Sequence, residues 1–560
     1  MRLDIDRRVG LGIGMYLVSF LVCILVLSSI VWFLGWHITP LVLILAIPLA
    51  LPVFYLVGTD KKETIKAISL SIGIIVLSTI VETFVWDMSY DGNAYHQLVI
   101  YALGNGWNPV YDHHNPIISD SWSINICIDH YPKGAETMAA AFYALTGNIE
   151  SGKAINLFLP IAAVFILYWF FRDKFVVSFS SKKALLYSLG IAFSMITVGQ
   201  ITSYYIDHFG YFTFLLTLLG VYELINEQGD KRFACWSLLS SIVISSAVKF
   251  NMLFWTGFII ACAIVALLIR KKYGTAVRLA VASAVTALVS VIVVAYNPLV
   301  TNTLDHQNPV YPLYGKEKTT TESLGVFCQP PYIYNAPRYK QIALSFFQRP
   351  TNDVTSNEYV PPYLITRTNI YRSGFCATNI GGGGLFFMEI LVISLIIFIF
   401  FRNGVYYKRF TIVALLLIST LFILPMGSNF RYVPFIYIFP FLALLYLETL
   451  NKRSRPSLFA QYVLSLLLLC NISLCAGVTF ATTALEQGVT MKSVRALEGK
   501  GGETFYTANW GFFNKLYHGD MEGKEPISPL LPVNQYEREK FIGGPFVYII
   551  KPESMAQQER

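Results

Sequence analysis

Charge is scarce in this chain. Of 560 residues only 14% are Asp, Glu, Lys or Arg, while 55% are hydrophobic and mean hydropathy is +0.54. A soluble domain carries about 25% charged residues, so a soluble globular protein is excluded. Zinc-type spacing is missing as well. There are eight cysteines, and none of their intervals matches a metal knuckle; five lie in apolar runs, where a small buried side chain is the ordinary reading. No glycine-rich phosphate loop follows a strand, which argues against nucleotide-driven chemistry. The glycines of GGGG, 381–384, read instead as a flexible entry to an apolar segment. Internal repeats and low-complexity tracts are also missing. The net charge of +8 points to no nucleic acid, because the basic residues are distributed for another purpose.

Long apolar runs fill the gap left by charge. Thirteen segments are each about long enough to cross a bilayer: 10–35, 39–57, 67–86, 155–171, 184–205, 210–226, 233–249, 251–269, 278–296, 385–401, 410–426, 432–449 and 458–480. With the Arg-rich start (Arg2, Arg7, Arg8) on the cytoplasmic side, every even-numbered connection carries basic residues, among them Lys61, Lys62, Arg172, Lys174, Lys231, Arg270, Lys408 and Arg453. The opposite short loops hold almost none. That asymmetry follows the positive-inside rule. It predicts an all-α polytopic membrane protein with about thirteen spans, amino terminus in the cytoplasm and carboxyl terminus outside. Residues 1–480 form the membrane domain, with long external loops at 87–154 and 297–384. Residues 481–560, with β-like stretches such as PFVYIIKP, form a small external α+β unit. Cys328 and Cys376 share one external loop, and their placement admits a disulfide.

The chemistry-bearing residues gather on the outward ends of the predicted helices. WDMSYDGNAYHQ, 86–97, follows the third apolar run and holds Asp87 and Asp91, with Tyr95 and His96 behind them. If the helix continues by another turn, positions 87, 91 and 95 share a face. Such a pair suits general-base work, or Mg²⁺ or Mn²⁺ held by hard oxygen ligands; it equally suits an ordinary solvated helix end. QITSYYIDHFG, 200–210, adds Asp207 and His208 in a turn too short to carry an idle charge. Lys249 in SSAVKFN and Arg431 in SNFRYVP lie at two further outer ends, where a lone cation is usually an interface anchor. Glu82, inside the third run, would reach this region or pair with Lys249.

In their order, these stretches resemble the GT-C superfamily of integral-membrane glycosyltransferases. The resemblance covers roughly residues 66–450 and rests on D-x-x-x-Y-H (Asp91 to His96), HYPKGAETMAAAFYALTGNIESGKAINLF (130–158), YYIDHFG, NPVYPLYG (308–315), IGGGGLFF and FRYVPFIYIFP. Two runs precede the acidic loop where many members have one, and the adjacent Asp-Glu pair of the protein mannosyltransferases is missing. The resemblance implies an inverting transferase in a bacterial inner membrane. It would move a sugar from a polyprenyl-phosphate donor to an acceptor hydroxyl on a glycan, lipid or protein at the external, periplasmic face. Asp91 would be the base, and Arg431 and Lys249, with His96, would hold the leaving phosphate. Asp87 and Asp207 would orient the acceptor or hold a metal. Tyr95, Trp107, Trp122 and Tyr131 offer flat surfaces for sugar rings. An O-antigen-type polymerase or ligase would place its large loop late and lack an acidic motif after an early span. A secondary transporter would show repeated halves and midplane charges. In a scaffold or lipid-binding protein the acids would be incidental.

Overall fold

The computed structural model describes residues 6–116, 122–175, 179–313, 329–351, 359–375, 378, 380–402, 404–423, 427–450 and 454–498, together with three strands at 505–507, 536–540 and 546–550. Helices dominate. Eight of those described are long and apolar enough to cross a membrane: Arg7–Phe33, Pro40–Val57, Lys61–Thr83, Ile149–Lys174, Asp207–Ile225, Phe250–Ile269, Tyr273–Val294 and Arg455–Lys492.

Each of the other five expected runs also contains helix, but of a kind that falls short. The run at 184–205 divides into α9, Ser181–Ala192, and α10, Met195–Gln200. Helix α12, Lys231–Val248, carries five serines, of which Ser237, Ser241 and Ser245 are fully buried. Phe387–Phe400 and Pro434–Glu448 are apolar but short, and Tyr407–Ile423 has 17 residues. The chain is thus an all-α membrane protein with, among the described residues, eight helices long and apolar enough to span, the other five expected runs holding shorter or broken helices.

Helix α1, Arg7–Phe33, is buried almost all round and packs along α8, Ala154–Lys174. Helix α14, Tyr273–Val289, lies at the periphery, with Val277, Val281, Val285 and Leu288 all more than half exposed. Apolar surface on that scale suits contact with lipid rather than water. The basic connections meet at one end of the bundle. There Arg7 donates to the carbonyl of Arg172, Lys174 pairs with Glu223, Lys272 with Glu227, and Lys183 with Glu448.

The opposite end holds the acidic motif. Helix α4, Lys61–Thr83, starts in a capping box of Asp60 and Glu63. It stops at Thr83, so the shared helical face of 87, 91 and 95 does not form. Gln487 receives this end: its amide donates to the carbonyl of Phe84 and accepts from the N–H of Trp86. Gln487 belongs to α22, Arg455–Glu498, which runs well past the expected helix end at 480. The chain then passes through 84–91 into a π-helical turn, Gly92–His96, and on into α5, Gln97–Gly104. Gly92 is required here, because a Cβ would lie 1.7 Å from an Asp87 carboxylate oxygen.

The glycines at 381–384 form a held turn, not a flexible entry. Gly381, Gly382 and Gly384 have positive φ, which glycine adopts without strain. Asn471 donates to the Gly383 carbonyl and Tyr437 to that of Gly382. After α22 come β1 (Phe505–Thr507), β2 (Tyr536–Lys540) and β3 (Phe546–Ile550), an antiparallel sheet in the order β1-β3-β2. Cys328 and Cys376 lie outside the described residues.

Candidate functional site

Four charged side chains from four separated segments meet in one alternating row. Arg431 Nη2 lies 2.5 Å from Asp91 Oδ2, and its Nε lies 3.2 Å from Asp207 Oδ2. Lys249 pairs with the other Asp207 oxygen. Each partner is positioned by its own element. Asp91 precedes the π-helical turn, a local widening often found at functional sites. Asp207 is the first residue of α11, Asp207–Ile225, where the positive helix end favours a carboxylate. Lys249 stands in extended conformation between α12 and α13, Phe250–Ile269. Arg431 sits in the turn before Pro434, whose Tyr432 carbonyl is held by Asn251 and Trp255 of α13.

The two acids are held differently. Asp207 is fully buried and also accepts from Gln200 Nε2 at 2.9 Å. The Asp91 carboxylate keeps 15% of its surface and, among the described residues, bonds to Arg431 and to no other side chain. Burial alone would lower the Arg431 pKa, but the carboxylates of Asp91 and Asp207 outweigh it and hold the guanidinium well above its ordinary value. Tyr205 lies against the guanidinium, its ring centre 4.9 Å away, and Lys249 lies 5.0 Å from the Tyr432 ring centre. Burial, then the charge of Asp91, pushes the Cys127 thiol up to about 12 and the Tyr95 phenol well above its usual range. Both therefore keep their protons at neutral pH.

Other residues singled out in the sequence lie elsewhere. Asp87 is fully buried and holds the turn, accepting from the backbone N–H of Ser89 and of Tyr204. A free catalytic carboxylate does not look like this. His96 is buried against Glu136, with Nδ1 2.5 Å from Oε1, so it offers nothing to solvent; its Nε2 is buried without a hydrogen bond. Tyr95 packs on the His96 ring. His208 donates its backbone N–H to Gln200 behind Asp207, and its ring lines a small cavity with Leu159, Pro160, Thr197 and Tyr211, where Nε2 has no hydrogen-bond partner among the described residues. Glu82 pairs with Lys153, which also binds Glu150, and not with Lys249. Trp107 is buried, with its indole bonded to the Asp112 carbonyl. Tyr131 meets the edge of Phe250. The Trp122 side chain lies outside those described.

A divalent cation does not fit. Both Asp207 oxygens already face cations, Asp87 is tied to backbone, and among the described residues no three His, Cys, Asp or Glu side chains converge as a metal site.

A neighbouring polar junction joins the two long connections. Lys133 Nζ donates to the carbonyls of Asp129 and Tyr131 and to Asn297 Oδ1. Burial, partly offset by Asp129, lowers its pKa to about 8. His113 pairs with Asp305 at 2.7 Å, and His130 with Asn302 at 2.8 Å. Gln200, Tyr205 and Glu136 were missed as site or supporting residues. Tyr205 lay in plain view within YYIDHFG, whereas Gln200 carried no local signal.

Comparison with protein-family models, with curated proteins and with solved structures returns no match. The likeness to GT-C glycosyltransferases therefore rests on the sequence motifs alone.

Proposed function

We propose that the chain is a GT-C-type inverting glycosyltransferase of a bacterial inner membrane, with its site on the periplasmic side. It would transfer a sugar from a polyprenyl-phosphate donor to an acceptor hydroxyl. One observation carries the reading: Asp91, Arg431, Asp207 and Lys249 meet at the bundle end opposite the basic connections. A lipid-borne donor brings a phosphate that needs cations and a leaving oxygen whose charge must be stabilised; Arg431 and Lys249 supply them. The acceptor brings a proton that must be removed, and Asp91 is the partly exposed carboxylate beside those cations. In the transfer the acceptor O–H breaks and its proton passes to Asp91. The acceptor oxygen bonds to the anomeric carbon from the face opposite the phosphate, and the C–O bond to phosphate breaks with its electron pair leaving on the phosphate. Asp207, held by Arg431, Lys249 and Gln200, acts as the anchor that keeps Arg431 and Lys249 together. Charges at helix ends suit this chemistry better than transport, which places them near the midplane.

The test is transfer from a panel of radiolabelled polyprenyl-phosphate sugars into membrane extracts. Wild type, Asp91→Asn and Arg431→Ala would be compared. Transfer by wild type alone, with Arg431→Ala losing donor affinity, supports the reading. No transfer from any donor, or full transfer by Asp91→Asn, overturns it.

A further inference from the structure

The resting geometry creates a difficulty for a base. Asp91 Oδ2 lies 2.5 Å from Arg431 Nη2, so this oxygen is engaged by the guanidinium and is not free to accept from an acceptor hydroxyl. The same guanidinium is the cation that the donor phosphate needs, so the two anions compete for one partner. We propose that the donor's phosphodiester displaces Asp91 from Arg431, so that donor binding itself frees the carboxylate that then deprotonates the acceptor. This rests on the glycosyltransferase reading above and adds to it an order of events: donor first, acceptor activation second.

Three observations support the exchange. Asp91 is the acid able to leave, since its carboxylate is 15% exposed and, among the described residues, bonds to the side chain of Arg431 alone, whereas Asp207 is fully buried and shared by Arg431, Lys249 and Gln200. Arg431 stays in place when Asp91 leaves, because Asp207 holds Nε and the Tyr205 ring supports the guanidinium. The charges also match. The row holds two carboxylates and two cations, and a phosphodiester is a monoanion like the carboxylate it replaces. After the exchange Arg431 and Lys249 each still face an anion, and the acid left without a cation is Asp91, which at 15% exposure is the one of the two carboxylates that solvent reaches. A guanidinium fork suits phosphate at least as well as carboxylate. After transfer the phosphate becomes a monoester of roughly −1.5 to −2 charge at pH 7, while Asp91 has become neutral by taking the proton. The product is thus held on Arg431 until Asp91 loses that proton and returns.

The exchange makes a prediction of unusual sign. Removing a competitor should tighten phosphate binding even as it abolishes turnover. The measurement is equilibrium binding of polyprenyl phosphate to the full-length protein in nanodiscs of neutral lipid, with polyprenol and inorganic phosphate as separate probes. Asp91→Asn and Asp91→Ser should each bind polyprenyl phosphate roughly three- to tenfold more tightly than wild type. Asp91→Glu, which keeps the charge, should match wild type. Weaker binding of inorganic phosphate with the same ordering identifies the phosphate as the group that competes; equal binding of polyprenol by all forms confirms that the lipid tail does not. Melting curves select folded variants, and having two charge-removing substitutions guards against one failing to fold. If both folded neutral variants bind polyprenyl phosphate no better than wild type while Arg431→Ala loses binding, the exchange is wrong and the glycosyltransferase reading stands. If wild type itself binds no polyprenyl phosphate, that reading fails and the exchange fails with it.

Discussion

Two alternating charge clusters lie near the same end of the bundle, and they are built to opposite purposes. One is Glu82–Lys153–Glu150, whose side chains are 0–2% exposed and whose lysine also donates to the Val85 carbonyl. The other is Asp91–Arg431–Asp207–Lys249, in which three of the four side chains keep 15–18% of their surface. The first seals the join between α4 and the 3₁₀ turn Ile149–Lys153. It cannot open without leaving charge in a low-dielectric interior. The second contains one acid that can leave and one that cannot. Clustered charge is therefore no sign of function by itself; what separates a joint from a site is whether a member can exchange its partner for a ligand.

The comparison can be broken most directly at Lys153. Lys153→Met leaves Glu82 and Glu150 facing each other without a cation, and breaking a buried pair in this way costs about 3–5 kcal/mol. The folded yield and melting temperature of the detergent-purified protein should drop sharply. A variant that melts like wild type would erase the distinction drawn between the clusters.

Asp91→Asn should do the reverse. Turnover should fall by a factor of about 10²–10⁴, the usual contribution of a general base, while stability changes by about 1 kcal/mol or less, as for a partly exposed pair. Parallel transfer assays and melting curves read both. Loss of fold together with activity would place Asp91 among the structural acids beside Asp87.

Lys133 offers a pH test of the junction between the long connections. Its folded-state pKa near 8 lies below the ordinary 10.5, so between those values the unfolded chain binds the additional proton. Stability contributed by this group therefore rises as pH climbs from about 8 to 10.5. Melting temperature should rise over that window relative to Lys133→Met, measured at each pH. A wild-type minus variant difference that stays flat, or falls, contradicts the buried setting of this ammonium.

The smallest effect is expected at His113–Asp305, where the side chains are 27% and 33% exposed. His113→Gln should change stability by roughly 0.2–1 kcal/mol at most, in the range of surface pairs. A shift several times larger would show that this contact, and not Lys133–Asn297, holds the two connections together.

Much of the architecture is legible residue by residue. The apolar runs announce helices because hydrophobicity is a local property, averaged over a window the length of a bilayer. Asp60 and Glu63 announce the start of α4 in the same local way. The span count was less legible. The serines of α12 and the break between Ala192 and Met195 depend on what each helix buries against its neighbours. Of the site, Asp91, Asp207, Lys249 and Arg431 were all visible as charges at the ends of apolar runs, because a charge beside a membrane is costly enough to stand out.

The sequence by itself determined that this chain spans a membrane, that its basic connections share one end and its acidic motif the other, and that a handful of charges there required partners. Only the tertiary structure decided which partners they took. Asp91 and Arg431 stand 340 positions apart, and nothing local distinguishes Asp91 from Asp87 four residues earlier. The end of α4 at Thr83, received by Gln487 from α22, turns Asp87 inward onto backbone N–H groups and leaves Asp91 facing the guanidinium. The choice between a buried tether and an exchangeable carboxylate is made by packing between distant helices, since the energy of a charge depends on everything within a few ångströms of it and not on its neighbours in the chain.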